Sequence, residues 1–383
     1  METWQIYEIT TRRFLAPILP LLEDPSVSEV MVNGPSSIYF ERQGRIHRSD
    51  CHFTDELALL AAARNIAEFV GRRVDGDHHS LDGRLPDGSR VHIIIPPASR
   101  IGVCLTIRRF QKSTFQLSSL VERGSMSPEA KEFLELAVVL HKSILISGGT
   151  GSGKTSLLNA LSASIPENER IIVIEDTSEL QLNQPHTVYL EAQPPRPDGG
   201  GGVTIRDLFV DSLRMRPDRI VVGEVRRGEA LDLVQSMISG HTGALATVHA
   251  NSPRESAIRL ETLCLMSDVS LPVHVARMQT ASALQLVVQI ARMSDGSRRL
   301  QSIAECLGLD AQNNYIFREL YRFEARGRNT EGMIVGGLVP TGERPTFWDE
   351  PGRFGIEDQV RLTKSLFTDA SSQESTDEET PAT

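Results

Sequence analysis

A glycine-rich stretch that contains a lysine is the part of this sequence best suited to chemistry. It runs from Gly148 to Thr155 as GGTGSGKT and fits the pattern G-x-x-x-x-G-K-[ST]. Glycine has no Cβ, so the backbone N–H groups of such a loop can turn inward around an anion. The lysine ammonium then reaches the terminal phosphate oxygens, and the next hydroxyl can ligate Mg²⁺. The pattern predicts binding of a nucleoside triphosphate.

We call residues 148–155 the phosphate loop. It follows a short apolar stretch and precedes an apolar helical one, so its helix would direct a positive end at the anion. Lys154 is one of five lysines in a chain with 35 arginines. The residues assigned to phosphate binding are Gly148, Gly149, Thr150, Gly151, Ser152, Gly153, Lys154, Thr155 and Ser156.

Acidic residues follow two of the apolar segments farther along the chain. Ile171-Ile-Val-Ile is followed by Glu175 and Asp176, and Ile220-Val-Val-Gly is followed by Glu224. Ligands of open α/β sheets bind beyond the carboxyl ends of the strands. All three acids could therefore face Lys154, one to hold Mg²⁺ and another to polarise the attacking water. The residues alone do not separate these two roles.

Two histidines lie on either side of a fourth apolar segment. The stretch GHTGALATVH contains His241, Thr247 and His249. A histidine at the end of a strand beside a phosphate loop is placed to contact a γ-phosphate. We expect this contact from His249 and also consider it for His241.

After residue 142, short apolar strands alternate with helical stretches, which predicts a mainly parallel sheet covered on both faces. The predicted strands are 143–146, 171–174, 219–222 and 244–248, and helical spacing appears in 205–213 and 231–238. Residues before 110 predict a smaller α/β unit. Its expected strands are 27–32, 38–40, 90–95 and 104–107, and its expected helix is 54–70.

These elements suggest an N-terminal domain at 1–110, a polar connector at 111–126 and a second domain at 127–350. The second domain would open with a helix capped by Ser127 and with Pro128 at its first position. The Gly- and Pro-rich residues 194–202 predict a mobile loop. The remaining residues, 351–383, are read as a disordered acidic tail, whose last fifteen residues hold five acids and no base.

Net charge, cysteine spacing and hydropathy argue against several classes of protein. The formal net charge is −10, which argues against a general nucleic-acid coat. The four cysteines are far apart and form no C-x-x-C pair, so neither a zinc site nor a disulfide framework is expected. No stretch is apolar enough to predict a membrane span. A protein of the reducing cytosol is expected.

Four blocks in this order resemble the Walker A, Asp box, Walker B and His box of the type II and type IV secretion ATPases. They lie at 148–155, 174–180, 223–226 and 240–249. The stretches TVHANSPR at 247–254 and LRMRPDR at 213–219 are similar to the Tad/CpaF-type ATPases, which assemble Flp pili. The resemblance spans about residues 15–348. Arg227 departs from it, because the family usually has glycine there.

The resemblance implies a PAS-like N-terminal domain hinged to a RecA-like ATPase domain, with ATP and Mg²⁺ bound between them and six copies in a ring. Arg90 and Arg108 match the family's phosphate-contacting arginines best, and Arg84 and Arg109 match less closely. Arginine suits this role because its planar fork binds phosphate oxygens in pairs. Within the ATPase domain, Glu175 would activate water and Glu224 would serve on the Mg²⁺ side.

The function implied is a hexameric ATPase motor that powers assembly of a Tad-type pilus or related secretion, and the sequence does not decide between extension and retraction of the pilus. It would act in the cytoplasm on an inner-membrane platform protein and would bind no specific nucleic acid. The sequence is also compatible with a DNA-transfer or effector type IV secretion ATPase. A nucleic-acid translocase and a nucleotide-gated scaffold that does not hydrolyse ATP are two further candidates.

Overall fold

The computed structural model describes residues 3–42, 44–109, 116–193, 195 and 200–367. The chain divides into two compact units, the first made mainly of Met1–Ser113 and the second of Thr114–Pro195 and Gly201–Thr383. The first unit has one hydrophobic core of its own, and the second has two. No helix in these described ranges is both long and apolar enough to cross a bilayer.

The first unit contains a six-stranded sheet in which all neighbours are antiparallel, in the order β3-β2-β1-β6-β5-β4. Its strands are β1 (Val27–Asn33), β2 (Ile38–Arg42), β3 (Arg45–Arg48), β4 (Ser80–Arg84), β5 (Arg90–Ile94) and β6 (Cys104–Arg108). Its helices are α1 (Thr3–Phe14), α2 (Leu19–Glu23) and α3 (Glu56–Phe69). The predicted strands and helix fall within two residues of β1, β2, β5, β6 and α3. The sequence missed β3 and β4, which are short and mostly polar.

The second unit contains a nine-stranded sheet in the order β15-β14-β13-β12-β7-β11-β10-β8-β9. The strands are β7 (Ile144–Ser147), β8 (Ile171–Glu175), β9 (Thr187–Glu191), β10 (Arg219–Val222), β11 (Leu245–Val248), β12 (Leu286–Arg292), β13 (Arg298–Leu309), β14 (Tyr315–Arg328) and β15 (Ile334–Pro340). The six strands from β12 to β9 are parallel, and β13, β14 and β15 continue the sheet in antiparallel pairs. The prediction of a mainly parallel sheet is confirmed, and its antiparallel extension was not foreseen.

Helices cover both faces of this sheet, as predicted. Alternate residues of β7 point to opposite sides, so Ile144 and Ile146 enter one core cluster while Leu145 enters the other. The helices are α4 (Leu117–Glu122), α5 (Pro128–Val139), α6 (Lys154–Ser162), α7 (Ile205–Ser212), α8 (Glu229–Ile238), α9 (Pro253–Leu265) and α10 (Val273–Ala283). The Ser127 side chain caps α5 by accepting the N–H of Ala130.

The polar connector expected at 111–126 is different in the structure. Its second half contains α4, and Leu117 and Leu120 of this helix are buried in the same core cluster as Phe133. Apolar residues three apart therefore fix this stretch to the second unit, although its composition is mostly polar. Residues 110–115 lie outside the described residues. The hinge role of the connector stays a prediction.

Part of the predicted tail is folded. Two short helices, α11 (Glu350–Phe354) and α12 (Lys364–Phe367), lie within 351–383 or overlap its start. Val360, Leu366 and Phe367 are buried in the second unit. The prediction of disorder is wrong for 351–367, because these apolar side chains pack on the core. The acidic residues 368–383 lie outside the described residues, as do 194 and 196–199 of the predicted mobile loop.

Candidate functional site

The phosphate loop joins β7 to α6, as its sequence predicted. Two of its glycines are required by geometry. A Cβ on Gly148 would lie 2.4 Å from the carbonyl oxygen of Ile290, closer than real Cβ contacts. Gly153 has a φ of 99°, a conformation that side chains with a Cβ rarely adopt. The loop therefore has this shape because these positions carry no side chain.

The interior of the loop has hydrogen-bond donors suited to an anion. Lys154 is only 7% exposed, and its Nζ donates to the carbonyl oxygen of Gly149 at 3.1 Å. The Oγ of Ser152 is buried and has no hydrogen-bond partner among the described residues. Buried polar groups are normally paired, and α6 directs its N-terminal end at the loop. The loop thus fits a phosphate group on this chain's own geometry.

His249 connects the lysine of the loop to an acid. The Nζ of Lys154 lies 3.2 Å from Nδ1 of His249, and Nε2 of His249 lies 2.8 Å from Oε1 of Glu224. An ammonium group only donates, so Nδ1 accepts and Nε2–H donates to the carboxylate. Burial lowers the pKa of His249, and the charge of Lys154 lowers it further. The imidazole is therefore neutral and holds its proton toward Glu224.

Arg226 pairs with two acids of the site, Glu224 and Asp176. Its Nη2 lies 2.8 Å from Oε2 of Glu224, and its Nη1 lies 2.9 Å from Oδ2 of Asp176. The hydrogen bond that Arg226 donates to Glu224 is the main cause that raises the pKa of Arg226, while burial lowers the pKa of Lys154. Glu224 thus has a cation or a histidine N–H on each of its oxygens.

Glu175 is held by the backbone that follows it. It is 3% exposed, and its Oε1 accepts the N–H groups of Glu179 at 2.8 Å and Leu180 at 3.0 Å. A Cβ on Gly223 would lie 2.9 Å from Cγ of Glu175. Glu175 is therefore packed directly beside the segment that carries Glu224, and its carboxylate has a fixed orientation.

Strand direction explains why these residues meet. Ser147 pairs with Val248, so the phosphate loop and His249 leave the same edge of the sheet. The hydroxyl of Thr247 donates to the carbonyl oxygen of Gly223 at 2.7 Å, which ties β11 to the segment before Glu224. Glu224 thus follows a strand at the same edge as the phosphate loop, while the approach of Glu175 and Asp176 to Lys154 stays a prediction.

The structure does not bring His241 to this group. His241 precedes β11, and Leu245 at the start of that strand pairs with Ile144 at the start of β7. His241 therefore lies at the edge opposite the phosphate loop, separated from it by the whole length of β11, roughly 13 Å at ~3.3 Å per residue. The predicted phosphate contact of His241 is not supported for this chain's site, because the histidine motif extends across a whole strand.

The part of the site where Mg²⁺ would bind borders exposed residues of the phosphate loop. Thr155 and Ser156 lie in the first turn of α6, and Gly149 and Thr150 are exposed. The described residues hold no group of three or more His, Cys, Asp or Glu side chains that could enclose a metal ion. Mg²⁺ bound with a nucleotide needs no such cage, because phosphate oxygens and waters supply most of its ligands. The hydroxyl of Thr155 and the carboxylate of Glu224 fit that donor set.

Three arginines of the first unit lie in one row. Arg84 pairs with Arg90 across β4 and β5, and Arg90 pairs with Arg108 across β5 and β6. Residues directly opposite in antiparallel strands share a face, so the three side chains lie next to one another. Arg109 is used differently, because its Nη1 donates to the carbonyl oxygens of Asp24 and Val27.

Sequence reasoning missed two residues that contact the site. Arg226 ends the third of the four sequence blocks, but nothing in its neighbours showed that it would bridge two acids. Arg298 donates from Nε to the carbonyl oxygen of Gly151 at 3.1 Å, 147 positions away in the chain. It lies on a strand that was not predicted and is one of many arginines, so no local signal could have identified it.

The chain matches the family described as type II/IV secretion system protein over residues 12–328. It is 38% identical over 291 residues to a putative conjugal transfer protein of Mycobacterium tuberculosis, covering 74% of this chain and 82% of that protein. It is 34% identical over 311 residues to the type IV secretion system protein PtlH of Bordetella pertussis, covering 74% and 91%.

Two solved structures are similar to it in fold. The pilus retraction motor PilT with bound ADP gives a TM-score of 0.54 at 18% identity, covering 77% of this chain and 83% of that one. The Legionella pneumophila ATPase DotB gives 0.52 at 18% identity, covering 79% and 82%. The α/β fold with a RecA-like ATPase domain is confirmed by these similarities. The PAS-like type of the first unit stays a prediction.

Proposed function

This chain belongs to the type II/IV secretion ATPase family, and from that premise we propose that it is the motor of a Tad-type pilus machine. It is an ATP hydrolase that uses ATP with Mg²⁺, as members of this family do. The observation that carries the motor assignment is the contact chain from Lys154 through His249 to Glu224. It joins the phosphate loop to two other strands, so a change at the phosphate can act on the sheet.

Phosphate binding is assigned to the loop and to its lysine. The inward N–H groups of residues 148–153 and the Nζ of Lys154 would bind the β- and γ-phosphate oxygens. Mg²⁺, held by Thr155 and Glu224, would neutralise charge on those oxygens. Ser156 and the Ser152 hydroxyl would provide further hydrogen-bond donors to the phosphates. Each of these groups except Glu224 lies within or directly beside the loop.

Glu175 is proposed to orient the attacking water. Its carboxylate is fixed by two backbone N–H groups, which suits a group that must accept a proton at one place. Asp176 would serve beside it as the partner of Arg226. His249 would detect the γ-phosphate, because its Nδ1 already faces the ammonium that binds that phosphate.

Arg90 and Arg108 are proposed to bind phosphate from the first unit, with Arg84 beside them. Their common row supports this role, since neighbouring guanidinium forks can bind several oxygens of one anion. Arg109 is left out because it holds the backbone of its own unit. Loss of the γ-phosphate would weaken these contacts and let the units separate around the connector.

The active form is proposed to be a homohexamer attached from the cytoplasm to an inner-membrane platform protein. Support comes from the family and from the stretches at 213–219 and 247–254 that are similar to Tad/CpaF-type ATPases. The transported subunits would be pilins. The acidic net charge supports a protein partner over a nucleic acid.

A second candidate is a DNA-transfer type IV secretion ATPase. A specific observation favours it, because the relative that is 38% identical is named a putative conjugal transfer protein. The same fold and site would serve that machine, so only its cargo separates the two proposals.

A cellular experiment tests these proposals. The chromosomal gene is replaced by the Lys154→Ala variant, with Lys131→Ala as the matched control, since Lys131 lies on α5 and pairs with Glu135 on its own helix. We expect surface pilin to disappear in the first strain and to persist in the second. Normal piliation with loss of plasmid transfer in the Lys154→Ala strain would favour the second candidate and contradict the first.

A further inference from the structure

The phosphate loop is contacted from outside by the first residue of β13. The Nε of Arg298 donates to the carbonyl oxygen of Gly151 at 3.1 Å. Its Cδ lies 3.2 Å from the position that a Cβ on Gly153 would take. The arginine stem therefore packs against one glycine of the loop while its guanidinium binds another.

This bond fixes the orientation of one peptide group. The carbonyl of Gly151 and the N–H of Ser152 belong to the same trans peptide and point in opposite directions. With the carbonyl directed at Arg298, the N–H faces across the loop, 3.4 Å from the carbonyl oxygen of Gly149. That contact is long for a hydrogen bond, so a phosphate oxygen can replace it at little cost.

The backbone of Arg298 is bound on its other side. The Oγ of Ser125 donates to the carbonyl oxygen of Arg298 at 2.7 Å, and the carbonyl oxygen of Ser125 accepts the N–H of Leu300 at 2.9 Å. Ser125 is buried and lies just after α4. Arg298 is therefore held between the phosphate loop and the segment that opens the second unit.

We propose that Arg298 is a positioning residue of the nucleotide site, which holds the phosphate loop ready and couples it to the segment 117–126. The inference rests on the proposed nucleotide-driven motor and names a physical connection within it. When phosphate oxygens occupy the loop, the Gly151 peptide and the Arg298 side chain become fixed together. The start of β13 and Ser125 are then fixed as well.

ADP affinity provides the first test. The full-length Arg298→Ala protein should bind ADP about tenfold more weakly than wild type, as expected for loss of one charge-assisted bond. Arg298→Lys keeps the charge but lacks the planar fork, so it should bind almost as weakly. Arg322→Ala is the matched control, because Arg322 is an exposed arginine on the adjacent strand that pairs with Glu319, and it should bind like wild type.

Two results would overturn the positioning role. One is wild-type ADP affinity in Arg298→Ala. The other is full rescue by Arg298→Lys, which would mean that charge alone attracts the phosphates and that the directed bond to Gly151 has no role.

Hydrogen exchange provides the second test and examines the coupling. In wild type, saturating ADP should slow amide exchange both in 148–156 and in 117–126. In Arg298→Ala at saturating ADP, the protection of 148–156 should remain while that of 117–126 is lost. Ser125→Ala, which removes the side-chain bond to Arg298, should also reduce protection in 117–126. Unchanged protection of 117–126 in both variants would overturn the coupling.

The failure of this inference can be told apart from failure of the proposed function. If wild type and Arg298→Ala bind ADP equally and Lys154→Ala still abolishes piliation, Arg298 has no positioning role and the motor assignment stands. If wild type binds no ADP, both fall together.

Discussion

His249 and Glu224 are joined by a 2.8 Å contact between Nε2 and Oε1, although they follow different strands. The strands β10 and β11 that precede them are neighbours in the sheet. The other ring nitrogen of His249 faces Lys154. The imidazole of His249 therefore connects Lys154, the cation proposed to bind phosphate, to Glu224, the acid proposed to bind Mg²⁺. The hydrogen bonds of this imidazole can change when a phosphate binds Lys154 or leaves it.

Replacement of this histidine should separate turnover from product binding. We expect His249→Ala to lower kcat about 100-fold, because a fixed polar contact in the transition state is lost. ADP affinity should stay within about threefold of wild type, since ADP has no γ-phosphate for the residue to detect. Phosphate release and ADP titration measure the two quantities. An equal loss in both would show that His249 merely supports the loop.

Two substitutions of Glu175 should distinguish its chemical role from its structural one. Glu175→Gln keeps an oxygen for the N–H groups of Glu179 and Leu180, so the fold should be retained while turnover falls by about 10²–10⁴-fold. Glu175→Ala leaves both N–H groups without this acceptor and should also cost about 2–3 kcal/mol in the free energy of unfolding. Urea unfolding and phosphate release provide the measurements. Normal turnover in Glu175→Gln would move the water-activating role to another acid.

Arg226 should compete with Mg²⁺ for the acids of the site. In Arg226→Gln, Glu224 and Asp176 lose the guanidinium that pairs with both, so Mg²⁺ without nucleotide should bind more readily. Millimolar Mg²⁺ should then raise Tm more in this variant than in wild type, because a ligand that binds only the folded state stabilises it. Arg322→Gln serves as control and should respond like wild type. Identical Mg²⁺ responses in all three proteins would contradict this prediction.

Thiol reactivity should report the packing of α9. Cys264 is fully buried, and burial raises its pKa to about 12. Only the thiolate reacts, so at about pH 8 roughly 10⁻⁴ of this thiol is reactive even before access is considered. Its alkylation should therefore lag far behind that of Cys51 and quicken as pH rises toward 12. Mass spectrometry after iodoacetamide treatment measures both sites, and equal modification would contradict the packing described.

The strongly apolar strands were predictable, and the mixed ones were not. β7, β8, β10 and β11 are short buried runs, which is what a parallel sheet with two covered faces requires. β13 and β14 alternate poorly because register shifts between Ile303 and Ala304 and between Cys306 and Gly308 move side chains from one face to the other. Such shifts depend on the partner strand, so a single sequence does not reveal them.

The same division applies to the site. Lys154, Glu224 and His249 are predictable as neighbours because local motifs place Glu224 and His249 soon after strands and Lys154 at the first position of α6. Arg298 and Arg226 act through contacts that depend on neighbouring strands and loops, which no local pattern contains. The motif that His241 shares with His249 predicts a phosphate contact for both, but strand β11 separates them to opposite edges of the sheet.

The position of β7 in the sheet has a consequence for synthesis on the ribosome. This strand is flanked by β11 and β12, and Ile144 pairs with both Leu245 and Leu286. A nascent chain that ends at residue 250 therefore lacks β12 and β13. Ile290 and Arg298, which lie against the phosphate loop, are still untranslated at that point. The first unit needs nothing beyond Arg108 to complete its own sheet. Newly made protein should thus complete the sheet of its first unit well before it can retain nucleotide.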